Sequence, residues 1–435
     1  MFDLIIGGVA VALCMVLVFR LGKKLGIEDK KTFLGIAFLL KVLAGIVLTL
    51  IYTYYYPNRI LADTFRYFDD SAHLHQLLLT NPKDYFLVML GIKSEVREGI
   101  PALENMNNWF PALRSPLYND NRTVIRINAV IRWFSLGSYY VHLVFFGFMG
   151  FVGQLYMYKA FRKYFVNKQT LLALFIFLIP SVVFWTSGNL KEGPLFLAFG
   201  YLLFRMEKIM RTGWKRIDFV TVILLFLFLF HMKFYVGLML IPVFSFYWCV
   251  QKWNRIKRWK LVLINYGFYF LIANAWHFIR FKWSLFTVFK WKKKDFQGLA
   301  NVMESKSLMR TYELEDNAFS FLLNIPQGLV NTLFRPLIWE AYTSLIFLNV
   351  IENIGVLIFI GFCVYFRSKE RISNIAYCFI VYALSLIVIV GMVTPILGSL
   401  VRYKVPALPF LMLFFLSILD LEKVKRRFKF LNKIS

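Results

Sequence analysis

Apolar residues along this chain gather in long runs rather than alternating with polar ones. Leu171 to Val183, Val220 to Phe230 and Ile372 to Met392 are examples. A helix needs about 20 apolar residues to cross bilayer hydrocarbon, and shorter runs need help from neighbouring helices. The pattern predicts helices over roughly 3–20, 33–55, 128–157, 170–186, 194–208, 218–232, 235–250, 260–277, 341–364, 372–393 and 404–420. The expected fold is all-α: a polytopic integral membrane protein with about 11 transmembrane helices, forming a single transmembrane domain over 1–435. Segments 194–208 and 218–232 are short enough to be tilted or partly re-entrant. The stretch 319–334, with its Asn, Pro and Gly, is expected as a broken or interfacial helix.

Basic residues occupy the gaps. Clusters at 23–31, 159–168, 205–216, 252–260, 367–371 and 423–429 alternate with the apolar runs. Lys and Arg concentrate in cytoplasmic loops, so the alternation predicts an N-terminus outside and a C-terminus inside. Residues 1–19 lack a positive leading region and a small-residue cleavage site, and are expected as a retained first helix. Two long segments then lie outside. The first, 56–127, is expected as short amphipathic helices punctuated by Asn81-Pro82, Gly99-Ile100-Pro101 and Ser115-Pro116. The second, 278–340, opens with aromatics and lysines from Lys282-Trp283 to Lys292-Lys293-Lys294, as interfacial segments do. The expected setting is the bacterial inner membrane, with the active face toward the periplasm.

Composition agrees. Hydrophobic residues make up 59% of the chain, with 48 phenylalanines, against roughly 45–50% in soluble domains. The net charge of +27 would suggest nucleic acid in a soluble protein. Here it falls in inter-helix clusters that meet anionic membrane lipids. Zinc-like Cys spacing, a base-reading basic helix and RNP-like strands are all missing from the sequence, so no nucleic acid partner is expected. Cys14, Cys249, Cys363 and Cys378 are widely spaced in or beside apolar runs and are expected as small apolar fillers.

Five polar stretches interrupt this pattern. Asp63 to Ser71 carries Asp63, Asp69 and Asp70 with Arg66 between them. Carboxylates at an apolar boundary lose solvation, which raises a pKa toward that of a useful base. His73 follows closely, so Asp69, Asp70 and His73 are candidate ligands for a divalent cation such as Mg or Mn, although no cofactor is demanded. Pro180 to Pro194 is expected as an outer hairpin, with Lys191 holding an anion and Glu192 orienting it. His231 and Lys233 are expected at another short outer turn. Arg335 offers a fork for phosphate and could equally pair with Glu340. Arg402 and Lys404 stand at the mouth of the last helix, where an anionic lipid phosphate suits them. Arg66, Glu192, His231 and Glu340 are candidate orienting residues. One boundary is expected to collect Asp63, Asp69, Asp70, Lys191, Lys233, Arg335, Arg402 and Lys404. A base beside several cations suits transfer from a lipid phosphate, because cations stabilise the charge on the departing group.

On these stretches the chain resembles the GT-C superfamily of lipid-dependent glycosyltransferases. It is similar within it to bacterial envelope proteins of the exopolysaccharide and O-antigen polymerase kind. The residues that carry the resemblance are Asp63 to Asp70, Pro180 to Glu192, Leu333 to Glu340 and Gly398 to Pro409. It implies that Asp63, Asp69 or Asp70 is the catalytic base. It also implies a polyprenyl-phosphate-linked sugar donor, whose phosphate is held by Arg335 and Arg402 with help from Lys191. Two departures are an extra helix before the acidic loop and the lack of a large soluble domain after the last span.

The function expected is therefore inverting, base-assisted transfer of a sugar to a glycan, lipid or protein acceptor outside the cytoplasm. The alternatives are a polysaccharide polymerase or ligase using polyprenyl-diphosphate glycans, a lipid flippase or transporter, and a structural subunit.

Overall fold

The computed structural model describes residues 2–55, 58–59, 62–93, 99–109, 119–253, 255–280, 284–302 and 307–428. Ser115-Pro116, Lys282-Trp283 and Lys429 lie outside the described residues. In chain order the helices are α1 (Phe2–Lys24), α2 (Lys31–Leu50), α3 (Asp63–Thr80), α4 (Pro82–Met89), α5 (Pro101–Glu104), α6 (Asn121–Ser135), α7 (Tyr139–Phe161), α8 (Gln169–Phe177), α9 (Pro180–Trp185) and α10 (Glu192–Thr212). They continue as α11 (Arg216–Leu238), α12 (Leu240–Lys252), α13 (Arg258–Ile279), α14 (Leu285–Val302), α15 (Ala318–Phe334), α16 (Ser344–Tyr365), α17 (Asn374–Val393), α18 (Leu397–Tyr403), α19 (Leu408–Ile418) and α20 (Leu421–Arg427).

The protein is an all-α, polytopic membrane protein. Among the described residues seven helices are long and apolar enough to cross a membrane: Phe2–Lys24, Glu28–Tyr55, Tyr139–Tyr164, Arg216–Leu238, Arg258–Ile279, Ser344–Tyr365 and Asn374–Val393. Leu397–Tyr403 and Leu408–Ile418, bent by 59°, make an eighth if counted as one span. The expected count of about 11 is not reached among the described residues, for identifiable reasons. The run 128–157 holds the end of α6 and one spanning helix, α7, because Leu136 and Gly137 both take left-handed backbone angles, φ 51° and 76°. The run 170–186 is interrupted before Pro180, whose ring and missing N–H stop an incoming helix. α10 is 21 residues long but carries Glu192, Arg205, Glu207, Lys208 and Arg211. α12 has only 13 residues. The stretch His231–Tyr235, expected as a short turn, falls at a kink of α11, where Lys233 takes the extended angles φ −150° and ψ 92° and two helical segments join.

The chain forms two compact units. The first comprises Met1–Tyr164, Ile176–Leu178 and Val182–Phe234; the second comprises Phe165–Phe175, Ile179–Ser181 and Tyr235–Ser435. In the first, α7 packs on α10, α1 and α2, and α3 packs on α6. The α7–α10 crossing is made backbone to backbone: a Cβ on Gly153 or Gly200 would lie 1.9 Å from the carbonyl oxygen of Phe196 or Gly153. Small residues permit this close approach where lipid supplies no hydrophobic drive. In the second unit α17 packs on α15, α19 and α12. A similar crossing joins α15 to α17, where a Cβ on Gly391 would lie 2.0 Å from the Gly328 carbonyl oxygen.

The segment after α2 in the first unit folds as short helices whose starts follow from local sequence. Asn81 caps α4, its Oδ1 accepting from the Asp84 amide at 3.2 Å, and Pro82 takes the first position, where its missing N–H costs nothing. Pro101 starts α5 in the same way.

Candidate functional site

The three candidate carboxylates leave the N-terminal half of α3 in different directions. Asp69 meets Arg59 in a bidentate pair, with Nε to Oδ2 at 2.9 Å and Nη2 to Oδ1 at 2.7 Å. Both side chains are well exposed, so the pair adds little stability. Asp70 is buried and accepts from the backbone amides of Asn107 and Asn108 at 2.9 and 2.7 Å. It thereby anchors the loop after α5. Burial pushes its carboxyl above the ordinary value, against the opposing pull of the two amides, Arg66 and His73. Arg66 turns to the Asn107 carbonyl at 2.7 Å. With Asp69 and Asp70 so engaged, the expected metal set of Asp69, Asp70 and His73 does not assemble. Among the described residues no group of three or more His, Cys, Asp or Glu is placed to hold a metal ion. Asp63, half-buried, opens α3.

Three distant segments of the first unit, the starts of α3 and α6 and the kink of α11, meet the stretch Asn189–Glu192. The Asn189 side-chain amide donates to the carbonyl of Thr64 at 3.1 Å. Two residues on, Lys191 pairs with Asp120 at 2.7 Å. Glu192, fully buried, accepts from Lys233 at 2.7 Å. Thr123, one turn into α6 from Asp120, lies 2.6 Å from His231 Nε2. The kink at Lys233 gives this geometry a local cause, since it releases the lysine from the helical path toward Glu192. The Lys233–Glu192 pair is sealed, at 4% and 0% side-chain exposure, whereas Lys191 and Asp120 keep 13% and 29%. Lys191 is thus the reachable cation, and Lys233 is a structural partner of Glu192.

A buried polar network braces this cluster. Asn128 donates through Nδ2 to Asn189 at 3.0 Å, and its Oδ1 accepts from His142 Nδ1 at 2.7 Å. Ser135 holds the other ring nitrogen at 2.9 Å. Thr64 meets the Tyr139 hydroxyl at 2.5 Å. Lys41, buried in α2, donates to Gln154 at 2.9 Å and to Thr186. Both acceptors are fixed from behind: Gln154 donates to the Ile176 carbonyl at 2.6 Å and Thr186 to the Val182 carbonyl at 2.6 Å.

Arg335, Arg402 and Lys404 belong to the second unit, so the eight expected site residues divide five and three. Arg335 grips Glu340, with Nε at 2.8 Å. Burial raises the Glu340 carboxyl, but the bonds from Arg335 and the Leu337 amide outweigh it and hold the group below its ordinary value. The Arg335 carbonyl accepts from Asn353 at 2.8 Å, and the Asn353 side-chain oxygen accepts from Lys404 at 2.5 Å. One asparagine thus links the Arg335 backbone to the Lys404 ammonium. Glu352, the next residue, accepts from the Ser181 amide at 2.9 Å and hydroxyl at 2.6 Å. Arg402 is half-buried.

No family model, curated protein or solved structure matches this chain. The chemistry therefore rests on the residues themselves. Asp120, Thr123, Asn128, Asn189 and Asn353 were not among the residues expected from sequence. For Asp120 a signal existed: Asn119-Asp120-Asn121 is a run of helix-capping residues at the start of α6. The four cysteines are free, and Cys14, Cys363 and Cys378 are buried.

Proposed function

We propose that this protein is a glycosyltransferase of the bacterial inner membrane, working at its periplasmic face on a polyprenyl-phosphate-linked sugar. One observation carries the reading: the start of α3 beside Asp63, the Asn189–Glu192 segment, the start of α6 and the kink of α11 are tied together by short polar contacts. A reachable cation and a half-buried carboxylate on adjoining segments suit inverting transfer. Asp63 takes the proton of an acceptor hydroxyl, the acceptor oxygen bonds to the anomeric carbon, and the bond to the phosphate oxygen breaks with its electron pair. Lys191 neutralises the departing phosphate. Asp63 is preferred to Asp69 and Asp70 because it opens α3 next to Thr64, whose carbonyl accepts from Asn189 of the segment that carries Lys191. The acceptor class, glycan, lipid or protein, is left to assay.

A second reading, a polymerase or ligase using a polyprenyl-diphosphate glycan, is favoured by the presence of Arg335, Arg402 and Lys404 in the second unit, where Asn353 ties the Arg335 backbone to Lys404. A diphosphate already leaves well, so cations matter more there than a base. The test compares Asp63→Asn with Arg335→Gln in membranes supplied with radiolabelled lipid-linked donors. Loss of about a hundredfold in Asp63→Asn, in protein that still folds, supports base-assisted transfer. Full transfer by Asp63→Asn with loss in Arg335→Gln moves the assignment to the second reading.

A further inference from the structure

Lys191 already holds a carboxylate, Asp120, at 2.7 Å. A phosphate arriving at Lys191 therefore meets an occupied site. The identity and setting of the occupant are informative. Aspartate at the start of a helix ordinarily accepts from the helix's own first amides. Here the Asp120 side chain makes no such bond to α6. Asn119 does that work instead, its Oδ1 accepting from the Asn121 amide at 3.0 Å. Asp120 is thus spared for Lys191. The pair also differs from its neighbour in access. Asp120 and Lys191 keep 29% and 13% of their side-chain surface, while Glu192 and Lys233 keep 0% and 4%. The sealed pair cannot exchange partners without opening the unit. The accessible pair can.

We propose that Asp120 is a placeholder for the phosphate group of a lipid-linked ligand on Lys191, displaced when that ligand binds. This deepens the reading of Lys191 as the donor-phosphate contact and rests on it. Asp120 keeps the lysine aimed at the site while no ligand is present. Once displaced, it is a positioning residue that repels the bound phosphate from the α6 side, and so favours its departure after transfer. The cost of displacement is small, because a partly exposed ion pair contributes little.

Binding to the full-length protein in lipid nanodiscs tests this without reference to turnover. The probes are farnesyl phosphate and inorganic phosphate, titrated against the native protein, Asp120→Asn and Lys191→Gln. Asp120→Asn is expected to bind farnesyl phosphate about fivefold more tightly than the native protein, since no carboxylate competes. Lys191→Gln, alone or combined with Asp120→Asn, is expected to bind it weakly and to the same degree. Affinity in Asp120→Asn equal to or below native, with Lys191→Gln still weakened, overturns the placeholder and leaves the phosphate contact standing. Unchanged affinity in both variants overturns the phosphate contact and the placeholder together. Inorganic phosphate matching farnesyl phosphate in affinity overturns the lipid-linked source.

Discussion

Replacing Glu192 with glutamine removes the charge that Lys233 faces inside the first unit. The contact is 2.7 Å, which at an effective dielectric of ~20 corresponds to ~6 kcal/mol of attraction. Desolvation of the two ions, at several kcal/mol each, consumes most of that gain. The net worth of the pair is therefore small, but breaking it is expensive. With side-chain exposures of 0% and 4%, no water replaces the lost partner. Glu192→Gln should destabilise the protein by ~3–5 kcal/mol. Glu192→Gln combined with Lys233→Met should recover most of the loss, because no buried charge is left alone. Thermal unfolding in detergent, followed with a thiol-reactive dye, reads this directly, since Cys14, Cys363 and Cys378 are buried in the folded protein. A single substitution that costs less than ~1 kcal/mol, or a double substitution as unstable as the single, would refute the reasoning.

Two further predictions concern the helix crossings and the second unit. Gly200→Val places a Cβ where the Gly153 carbonyl oxygen stands 1.9 Å away, so α7 and α10 must separate; loss of folded protein on size-exclusion chromatography is expected, with Gly8→Val, where nothing lies within 4 Å, as the tolerated control. Lys293, buried in α14 and donating to the Tyr312 carbonyl, is pushed by burial down to about 8 from 10.5. A lowered lysine contributes stability that is present above its unfolded value and lost as pH falls through the folded one. The native protein should therefore gain up to ~3 kcal/mol between pH 7 and about 10.5, and Lys293→Met should flatten that rise in unfolding midpoints measured across the range.

The long helices were most legible where an apolar run ends in basic residues, as Phe2–Lys24 does at Lys23 and Lys24. What misled was apolar sequence that does not continue as one helix. Leu136 sits in a left-handed turn although its side chain carries no such preference, whereas the break at Lys233 coincides with the expected end of the run 218–232. The site was half legible. Lys191 and Lys233 stood out as cations near apolar runs, yet their partners are set by long-range packing. Asp120 is distant in sequence from Lys191, and nothing local marks Glu192 as the partner of Lys233 rather than of its own neighbour. Asp70 looked like a base because it is acidic and near the membrane; its two amide donors come from a loop that sequence patterning cannot dock.

Lys41 has a consequence for how the protein is made. Its two acceptors lie 113 and 145 residues further along the chain. When α2 leaves the ribosome and meets the translocon, neither has been synthesised. A lone lysine near the centre of an inserting helix costs ~3 kcal/mol, and the leucine-rich remainder of α2 must outweigh it. The second span is therefore held in the bilayer with a provisional cation until α7 and the Thr186 segment arrive to enclose it. Assembly of this unit is ordered in time by a residue that makes no contact with its future partners during its own insertion.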